Sequence, residues 1–162
     1  MEVKVRNMLR HEFDKWLQIS INTQAEYNAS VSGKLVEDEI TELKRILPSI
    51  LPDGFDTNKH HFYAIDTEED TNIGFIWIGP MPSLDKNSIF IFDIHIHEKE
   101  RSKGIGRKAL LQLHSIIANM GIKTVILNVL KSNYALKLYE SVGYKVIENG
   151  EFSCIMSKTE VS

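Results

Sequence analysis

The sequence predicts an α/β fold in a single domain. Short apolar runs typical of strands alternate with longer stretches whose apolar residues recur at helical spacing. The chain has 162 residues, 43% hydrophobic and 25% charged, and neither a repeat nor a linker interrupts it. This length is enough for one hydrophobic core. We therefore expect one domain over residues 1–162.

The first part of the chain predicts a strand and two helices. Alternation over residues 3–8 favours a strand, and apolar spacing over residues 11–29 favours a helix. Residues 30–33 break the pattern, and a second helix is expected over residues 36–47. Proline disfavours helical conformation in the residue before it, so we expect Pro48 to end this helix.

The remaining elements alternate between strands and helices. Three strands come first, and the third leads into a glycine-containing turn and a helix that ends near Met120-Gly121. A tight hairpin turn is expected at Asn149-Gly150, before the last strand. The strands are predicted at residues 61–66, 73–78, 88–96, 123–129, 144–147 and 152–157, and a further helix at residues 133–142.

The turn after the third of these strands carries the most functional information. It reads Arg-Ser-Lys-Gly-Ile-Gly-Arg-Lys over residues 101–108. A strand, a short glycine turn and a helix present free backbone N–H groups to an anion, and the helix dipole favours negative charge there. Four cations add positive charge at the same place: Arg101, Lys103, Arg107 and Lys108. The turn predicts a phosphate-bearing ligand.

Two common phosphate motifs do not fit this turn. Gly104-x-Gly106-x-x-Ala109 matches the loose dinucleotide fingerprint, which needs an acid roughly 20 residues further on. No acidic residue occurs between Glu100 and Glu140. The Walker loop is excluded as well, because no Gly-Lys-Ser/Thr closes the turn.

Together with a second block, the turn resembles the GNAT acetyltransferase superfamily. The pattern Arg/Gln-x-x-Gly-x-Gly/Ala resembles that family's acyl-CoA pyrophosphate loop. Residues 127–144, with Asn133, Ala135, Tyr139 and Gly143-Tyr144, resemble its later signature. The resemblance is clear from about Ile73 to the C-terminus. Within the family, the sequence is similar to a bacterial branch without an assigned substrate. It implies a mixed, mostly antiparallel sheet with splayed central strands and flanking helices.

The resemblance also implies acetyl-CoA as co-substrate and assigns residues to it. Arg101 opens the pyrophosphate loop, and backbone groups of Ile94 and Ile96 pair with the pantetheine. Asn133 hydrogen-bonds the cofactor arm, although Asn is equally suited to cap a helix. Backbone amides hold the pyrophosphate at Lys103, Gly104, Ile105, Gly106, Arg107 and Lys108.

The same resemblance implies N-acetylation of a primary amine by direct attack in a ternary complex. Tyr139 matches the tyrosine that protonates the departing thiolate. Asp93 is a carboxylate in an apolar strand and a candidate base, although related enzymes often have Glu-Asp where this chain has Phe92-Asp93. A non-catalytic CoA-binding sensor is the alternative. Alternation places Asp93, His95 and His97 on one face, where a metal site is the less favoured interpretation.

Composition limits the partners and the compartment. Residues 1–100 hold 18 acidic and 10 basic side chains, whereas residues 101–162 hold 4 acidic and 9 basic ones. An acidic part of the chain thus precedes a basic one. The net charge of −3 disfavours nucleic acid. One cysteine, Cys154, and the lack of a long apolar run favour a cytoplasmic protein without a membrane partner. The amine acceptor and the oligomeric state stay open, a homodimer included.

Overall fold

A computed structural model describes residues 1–161 as seven strands and four α-helices in the predicted order. Two short 3-10 turns, Gly54–Asp56 and Glu98–Glu100, join some of them. None of the helices in this range is both long and apolar enough to cross a membrane. The strands are β1 (Val3–Asn7), β2 (His61–Thr67), β3 (Gly74–Gly79), β4 (Ser88–Ile96), β5 (Thr124–Leu130), β6 (Lys145–Asn149) and β7 (Ser153–Lys158), and the helices are α1 (Arg10–Ser32), α2 (Val36–Ile50), α3 (Ile105–Asn119) and α4 (Ala135–Ser141).

The strands form one mixed sheet in the order β1-β2-β3-β4-β5-β7-β6. Neighbours are antiparallel except β4 and β5, which are parallel. These two strands pair only from Ser88↔Thr124 to Ile91↔Leu127 and then separate. The predicted sheet with splayed central strands is confirmed, and the gap opens at the C-terminal ends of β4 and β5.

A hydrophobic core lies on each face of the sheet. On one face, α3 and α4 pack their apolar residues against the isoleucines of β2, β3 and β4. On the other face, an aromatic core joins α1 and α2 to the sheet, with Trp16 stacked on Phe75 at 5.1 Å between ring centroids. The aromatic residues that β2 and β3 contribute here include Phe62 and Trp77. Each helix pair therefore covers one face.

A bulge in β4 reverses which face its side chains occupy. Trp77 pairs with Asp93 and Ile78 with Ile91, so Phe92 is the extra residue. Phe92 stacks on Trp77 in the aromatic core at 4.5 Å, and Asp93 contacts α1 on the same face. Unbroken alternation would have placed Asp93 with Ile91 in the opposite core. The bulge instead turns the carboxylate toward α1 and the gap.

Several predicted boundaries are wrong by a turn or less. Pro48 does not end α2, which continues to Ile50. The proline removes only one hydrogen-bond donor near the helix end, and the Leu51 amide beyond it still bonds the Leu47 carbonyl at 2.8 Å. Helix α1 extends to Ser32, and Gly33 ends it in the left-handed conformation at φ 76°. Helix α3 begins at Ile105, inside the predicted turn.

Candidate active site

The splayed strands β4 and β5 open a cleft of about 930 Å³. Its walls are the C-terminal half of α1, the loop after β4, the start of α4 and the turn between β6 and β7. Of the twelve residues predicted for catalysis or cofactor binding, ten line this cleft: Asp93, Ile94, Ile96, Arg101, Gly104, Ile105, Gly106, Arg107, Asn133 and Tyr139. The fold thus gathers both sequence blocks around one space.

The loop at the wide end of the cleft offers consecutive free amides. The Arg101 amide bonds the Glu98 carbonyl, and the Lys108 amide bonds the Gly104 carbonyl at 3.3 Å. Between them, the amides of residues 102–107 have no acceptor among residues 1–161. Unpaired N–H groups at a helix N-terminus bind anions. This arrangement fits a pyrophosphate.

Lys108 is a correction to the predicted set. Its amide is committed to the first helical hydrogen bond of α3, and its ammonium donates to the Met1 carbonyl away from the cleft. Lys103 does not line the cleft either, since its ammonium pairs with Glu100 at 3.2 Å. Arg101 and Arg107 therefore supply the positive charge that faces the cleft.

The two loop glycines serve different geometric needs. Gly104 caps α3 in the left-handed conformation at φ +79°, where other residues are strained. A Cβ on Gly106 would lie 3.2 Å from Leu138 Cδ2, so this glycine lets α3 approach α4 closely. The Arg101 guanidinium fixes the loop to the strand by donating from Nε to the Ile96 carbonyl at 2.9 Å.

The backbone of β4 presents an open edge to the same cleft. The His97 amide bonds the Ile73 carbonyl, and paired residues in an antiparallel ladder alternate between bonded and non-bonded positions. The peptide groups of Ile94 and Ile96 therefore point away from β3, into the gap that β5 has left. Their side chains pack against the α3 core. An extended amide-containing chain fits this edge as an added strand would.

Asp93 lies between α1 and the cleft. Its Oδ2 accepts a hydrogen bond of 2.5 Å from Ser20 Oγ. Burial raises the pKa of Asp93 from 3.8 to about 6, and the hydrogen bonds from Ser20 and the Ile94 amide oppose that rise. The carboxyl group is therefore ionised at neutral pH but can take up a proton at little cost.

Tyr139 reaches the cleft from α4 on the opposite side. It is 6% exposed, and its ring meets the Tyr144 ring edge-on at 5.6 Å. Burial raises the pKa of Tyr139, and the nearby charge of Asp93 raises it further. The phenol is thus held in its protonated form. Behind it, His114 Nε2 and the Tyr144 hydroxyl lie 2.8 Å apart in the core.

The other polar residues of the site have more ordinary partners. Asn133 Oδ1 accepts from the Ala135 amide at 2.9 Å, an Asx turn that leads into α4, whose N-cap position is held by Tyr134. His95 lines the cleft, and burial lowers its pKa to about 4, so the ring is neutral. His97 lies beyond the end of β4 and, like His95, beside Trp16. No group of three or more metal-ligating side chains is found within residues 1–161.

Comparison with known proteins decides the family. The model of the acetyltransferase (GNAT) family matches residues 22–144. The chain belongs to the GNAT family. It is an acetyl-CoA-dependent N-acetyltransferase, and a non-catalytic sensor is not favoured.

GNAT relatives with similar sequences and structures support the assignment. The uncharacterized N-acetyltransferase YycN of Bacillus subtilis (strain 168) is 30% identical over 159 residues, covering 98% of this chain and 99% of YycN. The YycN crystal structure superposes with a TM-score of 0.84 at 28% identity, covering 93% of this chain and 96% of that chain. The PaiA N-acetyltransferase of Thermoplasma acidophilum, solved with coenzyme A, shares the fold at 19% identity, with a TM-score of 0.72 and coverage of 98% and 99%.

Sequence reasoning missed several cleft residues of this GNAT protein. Glu39 of α2 and Phe152 of the last hairpin line the cleft, and Ser20 of α1 contacts the cleft residue Asp93. Of these, Ser20 had a usable signal, since it is a polar residue four positions after the buried Trp16 on the same helix face. Trp77 lies in the aromatic core and does not line the cleft.

Proposed function

We propose that this enzyme acetylates a primary amine by direct attack of the amine on acetyl-CoA within the cleft between β4 and β5. One observation carries the proposal. Residues with free amides, Ser102 and 104–107, lie along the same cleft as Asp93 and Tyr139, which would have opposite roles in proton transfer. An anion-binding loop, an acid and a base thus share one space.

The donor end of the cleft would be formed by the loop and the edge of β4. Amides of residues 102–107 would hold the pyrophosphate, supported by Arg101 and Arg107. The Ile94 carbonyl and the Ile96 N–H are the open groups of this edge, because the Ile94 amide donates to Asp93 and the Ile96 carbonyl accepts from Arg101. The Ile94 carbonyl would accept from an amide of the pantetheine arm. When bound, acetyl-CoA supplies an activated thioester carbonyl. An Ile96 N–H directed at that carbonyl oxygen would stabilise the negative charge that develops there.

Asp93 would act as the general base. The attacking nitrogen must lose a proton as the amide bond forms, and a carboxylate in the cleft can receive it. A pKa of about 6 leaves Asp93 ionised at pH 7, yet makes it a stronger base than an exposed carboxylate. The bulge at Phe92 is what directs this carboxylate toward the cleft, since it changes the face on which Asp93 lies.

Tyr139 would act as the general acid. The carbon–sulfur bond breaks as the amide forms, and the phenolic proton passes to the departing thiolate. Burial, and in addition the charge of Asp93, raises the pKa of Tyr139 and keeps it protonated before reaction. Once Asp93 has taken the amine proton, that charge disappears and Tyr139 becomes a stronger acid. Return of the proton from Asp93 to the tyrosinate through water restores the enzyme.

A covalent intermediate on cysteine is not part of the proposal. Cys154 is 3% exposed and packs in the core on β7. A nucleophilic thiol has to reach the thioester and be activated by a base. Direct transfer in a ternary complex requires neither condition.

The charges of the cleft favour a cationic amine without a free carboxylate. Four carboxylates line the cleft (Glu39, Asp93, Glu100 and Glu151), against the two guanidinium groups of Arg101 and Arg107 on the loop. A negative wall attracts ammonium groups and repels carboxylates. The spermidine N-acetyltransferase of Vibrio cholerae, solved with CoA and spermine, shares the fold at 15% identity with a TM-score of 0.69, covering 98% of this chain and 95% of that chain. Di- and polyamines are therefore the first acceptors to test.

The test is calorimetric titration with acetyl-CoA, followed by thiol release with a panel of amines. Gly104→Glu should abolish acetyl-CoA binding by placing a charged side chain in the loop. Gly121→Glu is a matched control, because Gly121 has the same φ of +79° and equally open surroundings at the other end of α3. Equal affinity in the two variants would contradict the loop assignment. Amino acids reacting faster than diamines would contradict the acceptor class.

A further inference from the structure

The Ser20 hydroxyl, like that of Ser32 at the end of α1, donates to a carboxylate of another element and not to its own helix. Helical Ser and Thr residues commonly bond a carbonyl of their own helix. Thr41, Ser49, Ser115 and Ser141 all do so here. Ser20 is 8% exposed, and its hydroxyl donates to Asp93 Oδ2 across 73 positions of sequence. Its single proton is therefore directed at the carboxylate.

Helix α1 holds Ser20 in this position by packing. Trp16 lies one turn earlier on the same face, is 1% exposed and stacks on Phe75 of β3. Trp77 of β3 pairs with Asp93 in the sheet. Both ends of the Ser20–Asp93 hydrogen bond are thus fixed to β3, one through α1 and one through β4.

We infer that Ser20 is a positioning residue, which orients the Asp93 carboxylate and keeps it in its ionised form. This inference rests on the proposed function of Asp93 as the base. The hydrogen bond from Ser20 to Oδ2 fixes the orientation of the carboxylate group. A hydrogen bond donated to the ionised form also opposes the effect of burial on Asp93. Without Ser20, a smaller fraction of Asp93 would be ionised at neutral pH.

Other titratable groups near Asp93 do not replace this contact. The charge of Asp93 contributes to the raised pKa of Tyr139 on α4. Tyr27 of α1 and His95 of β4 line the same cleft. The His95 ring is neutral near pH 7, because burial lowers its pKa to about 4. Among the residues that the structure describes, Ser20 makes the side-chain hydrogen bond to Asp93.

The first experiment is a pH titration of the Asp93 carboxyl carbon by NMR in the full chain, with the signal assigned from Asp93→Asn. Ser20→Ala should raise the titration midpoint by about 0.5 to 1 pH unit, because a donor to the ionised form is lost. Ser20→Thr, which keeps a hydroxyl, should restore the wild-type midpoint. Ser115→Ala removes a hydroxyl that bonds its own helix and should leave the midpoint unchanged. An unchanged or lowered midpoint in Ser20→Ala would overturn the inference.

A second experiment separates this inference from the proposed function. With an amine found by thiol release, the acid limb of the kcat profile should move to higher pH in Ser20→Ala, while the KM for acetyl-CoA stays the same. If Asp93→Asn retains the acid limb, Asp93 is not the base, and the NMR midpoint still tests the contact with Ser20. If Ser20→Ala does not fold, Ser20→Cys, with a weaker donor of similar size, gives the same comparison.

Discussion

Asp93→Asn should make this protein more stable while it removes activity. Burial raises the pKa of Asp93 from 3.8 to about 6, so ionisation of this group opposes folding at neutral pH. A shift of roughly two pH units corresponds to about 3 kcal/mol. Asparagine keeps the shape and can still accept from Ser20, but it carries no charge to bury. The variant therefore separates the effect of Asp93 on the free energy of unfolding from its proposed role in catalysis.

The sign of the pH dependence follows from where the proton binds more tightly. The unfolded chain loses the Asp93 proton near 3.8 and the folded chain near 6, so wild-type stability falls as pH rises between them. The variant should therefore exceed the wild type by about 3 kcal/mol at pH 8 but by less than about 1 kcal/mol at pH 4. The expected rise in Tm at pH 8 is about 6 to 12 °C.

Urea denaturation of both proteins at pH 4 and pH 8 measures these differences. Asp14→Asn, an exposed carboxylate on α1, is the control and should change stability by no more than about 0.5 kcal/mol. Turnover of Asp93→Asn with a reactive amine should fall about 10²- to 10⁴-fold. Equal stability of the variant and the wild type at pH 8, or the same gain at both pH values, would refute the reasoning.

Three further changes test the acid, an ion pair and the core behind the site. Tyr139→Phe should lower kcat about 10²-fold or more, with calorimetry giving unchanged acetyl-CoA affinity; wild-type turnover would exclude it as the acid. Glu12 pairs with Arg6 at 2.9 Å, which lowers its pKa from 4.5 to about 2. Urea denaturation should show that Glu12→Gln lowers the free energy of unfolding by about 2 to 3 kcal/mol above pH 5. The difference from the wild type should shrink toward pH 2, and a loss that does not depend on pH would contradict the pairing. Tyr144→Phe leaves His114 without its partner and should cost about 1 to 3 kcal/mol in the same assay, and no loss would show that this buried hydrogen bond contributes little.

The sequence by itself determined the order of the elements and the position of the candidate anion-binding loop. Both depend on local patterns, since apolar spacing marks strands and helices and a strand–glycine–helix turn exposes amides wherever it occurs. The loop at residues 101–108 could be located in this way, and its amides are free over residues 102–107. Local patterns were weaker at the ends of elements, where Pro48 proved compatible with the last turn of α2.

The tertiary structure decided which groups face the cleft. The bulge at Phe92 depends on pairing with β3, and it moves Asp93 out of the α3 core without any mark in the local alternation. Ser20 reaches Asp93 because α1 packs on β3, and the first helical hydrogen bond of α3 removes the Lys108 amide from the anion site. Each of these depends on register or packing between distant segments. The periodicity of a sequence predicts which residues share one face of an element, but not which segment packs against that face. The groups that line this site were therefore decided by the pairing of the strands.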